Sequence, residues 1–245
     1  MQETERNRGA DDAMAVAHDI LHGPDRFGTA LPAKMPEYYA SNRSPFLEWV
    51  GGGHERVLDV GCGAGANGIW MRQHGAAVLV GVEIDATSAA QARGAYDEVY
   101  NEPVESALRH ISGPFDLVMC ADVLEHLVDP WTVLRRIHQT STDATVLAIS
   151  IPNIRHIGAL WRIAAGKGFE YEDEGIFDRT HLRFFTRRNV EQMLQAAGWQ
   201  PERWGRGLRS RKARLLSKLT FGRSDEWLSY QWYVVARRAL EHVIV

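Results

Sequence analysis

Three histidines stand beside acidic or amide side chains in the second half of the chain. His126 closes Asp122-Val123-Leu124-Glu125-His126, His156 follows Pro152-Asn153, and His181 lies in Asp178-Arg179-Thr180-His181. A neutral imidazole accepts a proton near pH 7, and a neighbouring carboxylate can hold the ring in one orientation. His126, His156 and His181 are therefore candidate bases for deprotonating a hydroxyl, with Asp178 as the group that orients a histidine or binds a substrate hydroxyl. Each has a plainer alternative: a histidine that orders a loop, and an acid that caps a turn.

A second constellation lies upstream, in Val57-Leu58-Asp59-Val60-Gly61-Cys62-Gly63-Ala64-Gly65. Three alternating glycines between a strand and a helix let backbone approach a ligand closely. The helix N-terminus beyond them offers free amides. The spacing Gly61-x-Gly63-x-x-Ala66 also satisfies the dinucleotide fingerprint. Asp59 tilts the reading, because an anionic pyrophosphate would be repelled there, whereas a sulfonium cofactor with a free amino group would not. Glu83, at the end of the next strand and followed by Asp85, is placed to accept ribose hydroxyls, a feature shared with NAD proteins. The alternatives are a tight turn with no ligand, and an Asp59 that only stabilises the turn.

The elements that must hold these groups alternate. Apolar strands are expected at 56–60, 77–82, 98–101, 115–120 and 145–150, with helices at 66–74, 86–95 and 130–139. Near-continuous apolar strands separated by helices argue for a parallel sheet covered on both faces. A helix is expected over 36–50, with Pro45 disturbing its middle and Gly51-Gly52-Gly53 ending it. Beyond 150 the pattern becomes irregular over 152–188, a substrate or lid region. Thr186 then caps a helix over 187–197, and strand-like 199–204 and 230–236 flank a basic insertion at 205–224. Residues 1–35 read as a mobile tail and 36–245 as one domain.

The chain has 245 residues, enough for one sizeable α/β domain with an appended lid. A net charge of −3 gives no global argument for nucleic acid. The two cysteines, Cys62 and Cys120, are too few for a disulfide framework and suit a reducing cytosol, so a cytoplasmic location is expected. No signal peptide and no membrane span are read.

With these residues in hand, the chain resembles the class I S-adenosylmethionine-dependent methyltransferases. The resemblance rests on VLDVGCGAG (57–65), VGVEID (80–85) and FDLVMCADVLEHLVDP (115–130), in that order. The stretches SIPNIRHIG (150–158) and GIFDRTHLRFFT (175–186) resemble a subgroup found with sugar, polysaccharide and natural-product O-methyltransferases. The resemblance implies an α/β, Rossmann-like, doubly wound, mostly parallel seven-stranded sheet with a helical N-terminal segment and lid insertions. It implies that Asp59, Gly61 and Gly63 line the methionine end of S-adenosyl-L-methionine and that Glu83 holds the ribose. Glu102, or Asn101, stands where the family usually has an acid near the adenine. Ala121 and Asp122 would form the floor of the site, and Tyr38, Tyr39 and Arg43 would reach the cofactor carboxylate.

The reaction so implied is methyl transfer to a hydroxyl of a sugar, glycan or glycosylated metabolite. The aromatic and acidic run Phe169-Glu170-Tyr171-Glu172-Asp173-Glu174 would lie over a polyol. N- or C-methylation of a small metabolite or peptide, an inactive cofactor-binding partner, and an NAD oxidoreductase are the competing readings. Asp122, Glu125, Asp178 and the histidines leave a divalent metal such as Mg²⁺ open, though no fixed ligand spacing demands one. The insertion GRGLRSRKARLLSKLTFGR (205–223) carries seven cations and no acid, and suits a phosphate-bearing substrate, an anionic lipid surface or a subunit. Without other nucleic-acid motifs, no nucleic-acid partner is expected.

Overall fold

The computed structural model describes residues 43–239. The expected tail, the first part of the helix expected over 36–50, and Tyr38 and Tyr39 lie outside the described residues. Helix α1 (Ser44–Val50) has Pro45 in its first turn, where the missing N–H breaks no helical bond. That corrects the expectation that the proline disturbs the middle of a helix.

Alternation then follows the apolar pattern. The order is β1 (Arg56–Val60), α2 (Ala66–Gln73), β2 (Val78–Val82), α3 (Ala86–Ala92), β3 (Glu98–Tyr100), α4 (Val104–Ala107), β4 (Leu117–Ala121), α5 (Pro130–Gln139) and β5 (Val146–Pro152). Then come α6 (Ile157–Arg162), α7 (Arg187–Ala196), β6 (Trp199–Gly207), α8 (Arg211–Leu219), α9 (Asp225–Leu228) and β7 (Gln231–Arg238). A single 3₁₀ turn, Leu124–His126, follows β4. Among the described residues no helix is long and apolar enough to cross a membrane.

The seven strands form one sheet in the order β3-β2-β1-β4-β5-β7-β6. The first five strands run parallel, and β7 lies antiparallel between β5 and β6. Strand order reverses between β1 and β4, and it is beyond the carboxyl ends of strands at such a point that ligands collect in open α/β sheets. The Rossmann-like, mostly parallel seven-stranded architecture is therefore as expected.

Both faces of the sheet are buried. Leu58, Val60, Cys120, Ile149 and Val234 pack with Val133, Leu134 and Ile137 of α5 and Val190, Met193 and Leu194 of α7. On the other face Val57, Leu79, Met119, Ala148 and Val235 meet Phe46 and Leu47 of α1 and Met71 of α2. Each Val, Leu, Ile, Phe or Met among them contributes roughly 1.5–3 kcal/mol when fully buried. Two caps fix the helices that carry these contacts. Asp129 accepts from Thr132 N (3.0 Å) ahead of Pro130, and Thr186 and Asn189 form a reciprocal capping box at α7.

Several boundaries differ from the sequence reading for a common reason. β5 runs on to Pro152 and β6 to Gly207 because β7 pairs with both, Pro152 and Gly207 each opposite Gln231. The short helices α4, α6 and α9 have too few residues to show a period.

Candidate active site

The glycine loop is shaped by its backbone. Gly61, Gly63 and Gly65 have φ of 72°, 54° and 99°, a region closed to most side chains. A Cβ on Gly61 would stand 2.3 Å from Cγ2 of Val123, so the loops after β1 and β4 touch there. The loop is anchored by Gly61 N and Cys62 N, which donate to Val82 O at 2.8 and 3.0 Å.

Beneath it, alternation along β1 turns Asp59 toward α2. The residue is fully buried, and its Oδ2 accepts from Tyr96 Oη (2.5 Å) and Asn67 Nδ2 (3.2 Å). Oδ1 is buried without a hydrogen-bond partner among the described residues. Burial pushes the carboxyl up to about 6, against the pull of the Tyr96 and Asn67 hydrogen bonds and of the Arg43 charge. Room for the Tyr96 ring comes from glycine: a Cβ on Gly68 would meet it at 2.5 Å.

Glu83 closes the cradle from β2. Its Oε2 accepts from Gly63 N and its Oε1 from Asp85 N, both at 2.9 Å. Burial raises its pKa, while those amides oppose the shift. Each carboxylate oxygen retains a second lone pair. Asn101 is occupied elsewhere: its amide donates to Glu83 O (2.9 Å) and Ile84 O (3.0 Å), tying β3 to the end of β2. Glu102 follows, half-buried.

At the end of β4, Asp122 adopts φ 55°, which aspartate tolerates better than most residues. Ser150 Oγ (2.8 Å) and the Gln231 amide donate to its Oδ1, and Arg43 Nε lies 3.0 Å from Oδ2. Arg43 also donates to Ala121 O. Arg43, Ala121 and Asp122 are thus brought together, with the arginine turned onto the floor of the crevice.

The next turn carries His126. Nδ1 of His126 lies 3.1 Å from Thr180 O and 3.0 Å from Thr180 Oγ1. The Thr180 hydroxyl donates to Asp178 Oδ1 at 2.7 Å, so Oγ1 is left to accept and Nδ1 of His126 holds the proton. The basic lone pair of His126 is then on Nε2. His126 is half-buried. His181 is buried, its Nδ1 bound to Ile176 O (3.0 Å), its ring 4.8 Å from that of His126. Its Nε2 lies 3.9 Å from Glu125 Oε1. Glu125, His126 and His181 offer ligand atoms within 4.8 Å of one another, and any metal bond from the histidines would fall to Nε2.

His156 caps α6, its Nδ1 accepting from Gly158 N (3.2 Å), and burial with the Arg209 charge lowers its pKa. Its ring packs edge-on against Tyr230, and none of its hydrogen bonds joins it to the other histidines. The run 169–174 is partly tied down: Arg162 pairs with Glu172 and Arg179 with Asp173, while Phe169 packs edge-on against Phe177 (4.8 Å) and Phe184 (4.9 Å).

Sequence reasoning passed over Thr180, Tyr96, Ser150 and Gln231. Thr180 had a signal, since Asp178 and Thr180 are spaced for an Asx turn and Thr180 N does donate to Asp178 Oδ1 (2.9 Å). The other three meet Asp59 or Asp122 only through tertiary packing.

The cradle fits a nucleoside that carries positive charge. The orphan oxygen of Asp59 would accept from an ammonium and Glu83 from ribose hydroxyls, and a side chain at Gly61 would overlap Val123. The comparisons with known proteins agree. A family model described as a methyltransferase domain matches residues 31–203. A ubiquinone biosynthesis O-methyltransferase of Psychrobacter arcticus is 29% identical over 200 residues, covering 76% of this chain and 74% of that protein. The enzyme of that name from Pseudomonas aeruginosa is 34% identical over 91 residues, and the match spans 35% of this chain and 39% of its own length. Among solved structures, a SAM-dependent methyltransferase from Archaeoglobus fulgidus superposes with a TM-score of 0.60 at 15% identity, covering 92% of this chain and 99% of that one. The chain belongs to the methyltransferase-domain family, and its fold is that of the S-adenosylmethionine-dependent methyltransferases.

Proposed function

We propose that the chain transfers the methyl group of S-adenosyl-L-methionine to a hydroxyl oxygen of a sugar, glycan or glycosylated metabolite. The observation that carries the hydroxyl acceptor is the chain Asp178–Thr180–His126. The bound cofactor supplies an electrophilic methyl carbon with a good leaving group. The protein must align the acceptor oxygen and take its proton. Asp59, Gly61, Gly63 and Glu83 hold the cofactor, while Arg43 and Asp122 fix the crevice floor. Asp178 holds the Thr180 hydroxyl, Thr180 holds His126 Nδ1–H, and His126 Nε2 receives the acceptor proton. His181 and Glu125 back the His126 ring. Exposed Phe169, Glu170 and Tyr171 offer an apolar face and an acceptor, the pairing that suits a polyol.

The name of these relatives, ubiquinone biosynthesis O-methyltransferase, favours a second acceptor class, the phenolic hydroxyl of a quinone precursor. Kinetics separate the two. A phenol ionises near pH 10 and needs less help than an alcohol. Methyl transfer from labelled cofactor is measured on sugar and phenol panels for wild type and His126→Asn. The proposal expects transfer to a sugar hydroxyl that falls about 10²–10⁴-fold in the variant. Transfer only to phenols, or only to amines, overturns it.

A further inference from the structure

The insertion between β6 and β7 folds with its polarity inverted. Helix α8 is capped by Ser210, whose Oγ accepts from Ala213 N at 3.0 Å. Its buried face carries Ser217, at 1% exposure. Its leucines face outward: Leu215, Leu216 and Leu219 are 59%, 45% and 68% exposed. An amphipathic helix whose only task is to complete a core turns its apolar stripe inward. The chain then places Phe221 in the left-handed region, at φ 52° and 92% exposed. An aromatic residue is strained in that region, and its ring stands in water. Gly222 N donates to Ser217 O (2.8 Å) and fixes this turn.

Around this apolar face stand Arg211, Lys212, Arg214, Lys218 and Arg223, all exposed. No acidic residue occurs between 205 and 223. We infer that α8 and Phe221 form a docking surface for an anionic lipid bilayer, with the leucines and the ring entering the headgroup boundary and the cations meeting lipid phosphates. Charge decides among occupants. A second copy seated on the same patch would bring its own cations against these and repel. A nucleic acid would use the cations but leave three leucines and a phenylalanine in water. The helix leaves the sheet at Gly207, which pairs with Gln231, and Gln231 also holds Asp122. The docking face is therefore built onto the end of the sheet that carries the crevice.

Flotation of the full chain with phosphatidylcholine vesicles, alone and with about one third phosphatidylglycerol, tests the inference. The protein should rise with the anionic vesicles at about 0.1 M salt, stay down with the neutral ones, and leave the anionic ones at about 1 M salt. Lys218→Gln should lower the partition about fivefold, the effect of one cation near a charged surface. Leu219→Asp and Phe221→Ser should abolish it with unchanged adenosylhomocysteine binding and thermal midpoint, since both side chains are exposed. Equal partition onto neutral and anionic vesicles, or none onto either, overturns the inference. So does a dimer in sedimentation that Leu219→Asp splits while vesicles bind nothing.

Discussion

Replacing Asp59 by Asn should stabilise the ligand-free protein and weaken the cofactor complex. The carboxyl is fully buried and pushed up to about 6 from 3.8. A raised native value means its contribution to stability is fully present below about pH 4 and lost as pH rises through about 6. Above that, the buried anion costs about 3 kcal/mol relative to the same group in the unfolded chain. Asn removes this penalty and keeps an oxygen for Tyr96 and Asn67. Its amide then takes the place of Oδ1, and an unsatisfied donor there costs about 1–2 kcal/mol. The net gain at pH 7.5 is about 1–2 kcal/mol, a rise in thermal midpoint of roughly 2–8 °C for a domain of this size. The advantage should shrink as pH falls below about 6, vanish near pH 5 and reverse below it, where the carboxyl is protonated and only the cost of the unsatisfied amide remains. A cofactor ammonium loses a charged acceptor in the variant, and affinity for adenosylhomocysteine should fall roughly 10–100-fold. Scanning calorimetry across pH 5 to 8 and isothermal titration read the two effects. Midpoints that run parallel across pH would refute the buried anion. Unchanged affinity would confine Asp59 to a structural role.

Other substitutions probe neighbouring links. Gly61→Ala places a methyl 2.3 Å from Val123 Cγ2 at φ 72°. Strain and overpacking together should cost about 2–4 kcal/mol, seen in urea unfolding, and adenosylhomocysteine binding should be lost; a variant that binds and unfolds like wild type removes the close contact from the account. Thr180→Val keeps the shape but takes away the hydroxyl between Asp178 and His126. It should lower kcat about tenfold or more with little change in KM for cofactor, whereas an equal loss in both would mark a collapse of the 176–183 turn. Trp199→Phe breaks the buried bond from Nε1 to Leu134 O (3.0 Å), and should destabilise by about 1–3 kcal/mol in denaturant titration without altering cofactor affinity.

Much of this framework was legible because it is local. β1, β2, β4 and β5 are short apolar runs, and α5 begins where Asp129-Pro130 says it must. The glycine triplet announces a strand-to-helix loop whatever lies beyond it. Partnerships across the chain were not legible. Asp59 meets Tyr96 because Gly68 and Gly81 leave room for the ring, and Asp122 meets Gln231 because β7 runs antiparallel beside β5. The three histidines were alike in sequence, each near an acid or amide. Only tertiary contacts set His126 in a hydrogen-bonded chain, bury His181 behind it, and give His156 to a helix cap. The exposed leucines of α8 likewise look like core residues until the helix is seen with Ser217 inward.

The most direct test of the central claim is calorimetric titration of wild type and Glu83→Ala with adenosylmethionine, adenosylhomocysteine and, as control, NAD. The account predicts binding of both sulfur nucleosides on the order of micromolar, no comparable affinity for NAD, and a loss of at least about tenfold in Glu83→Ala as the ribose acceptor disappears. Absence of binding by either sulfur nucleoside, or a preference for NAD, would contradict it.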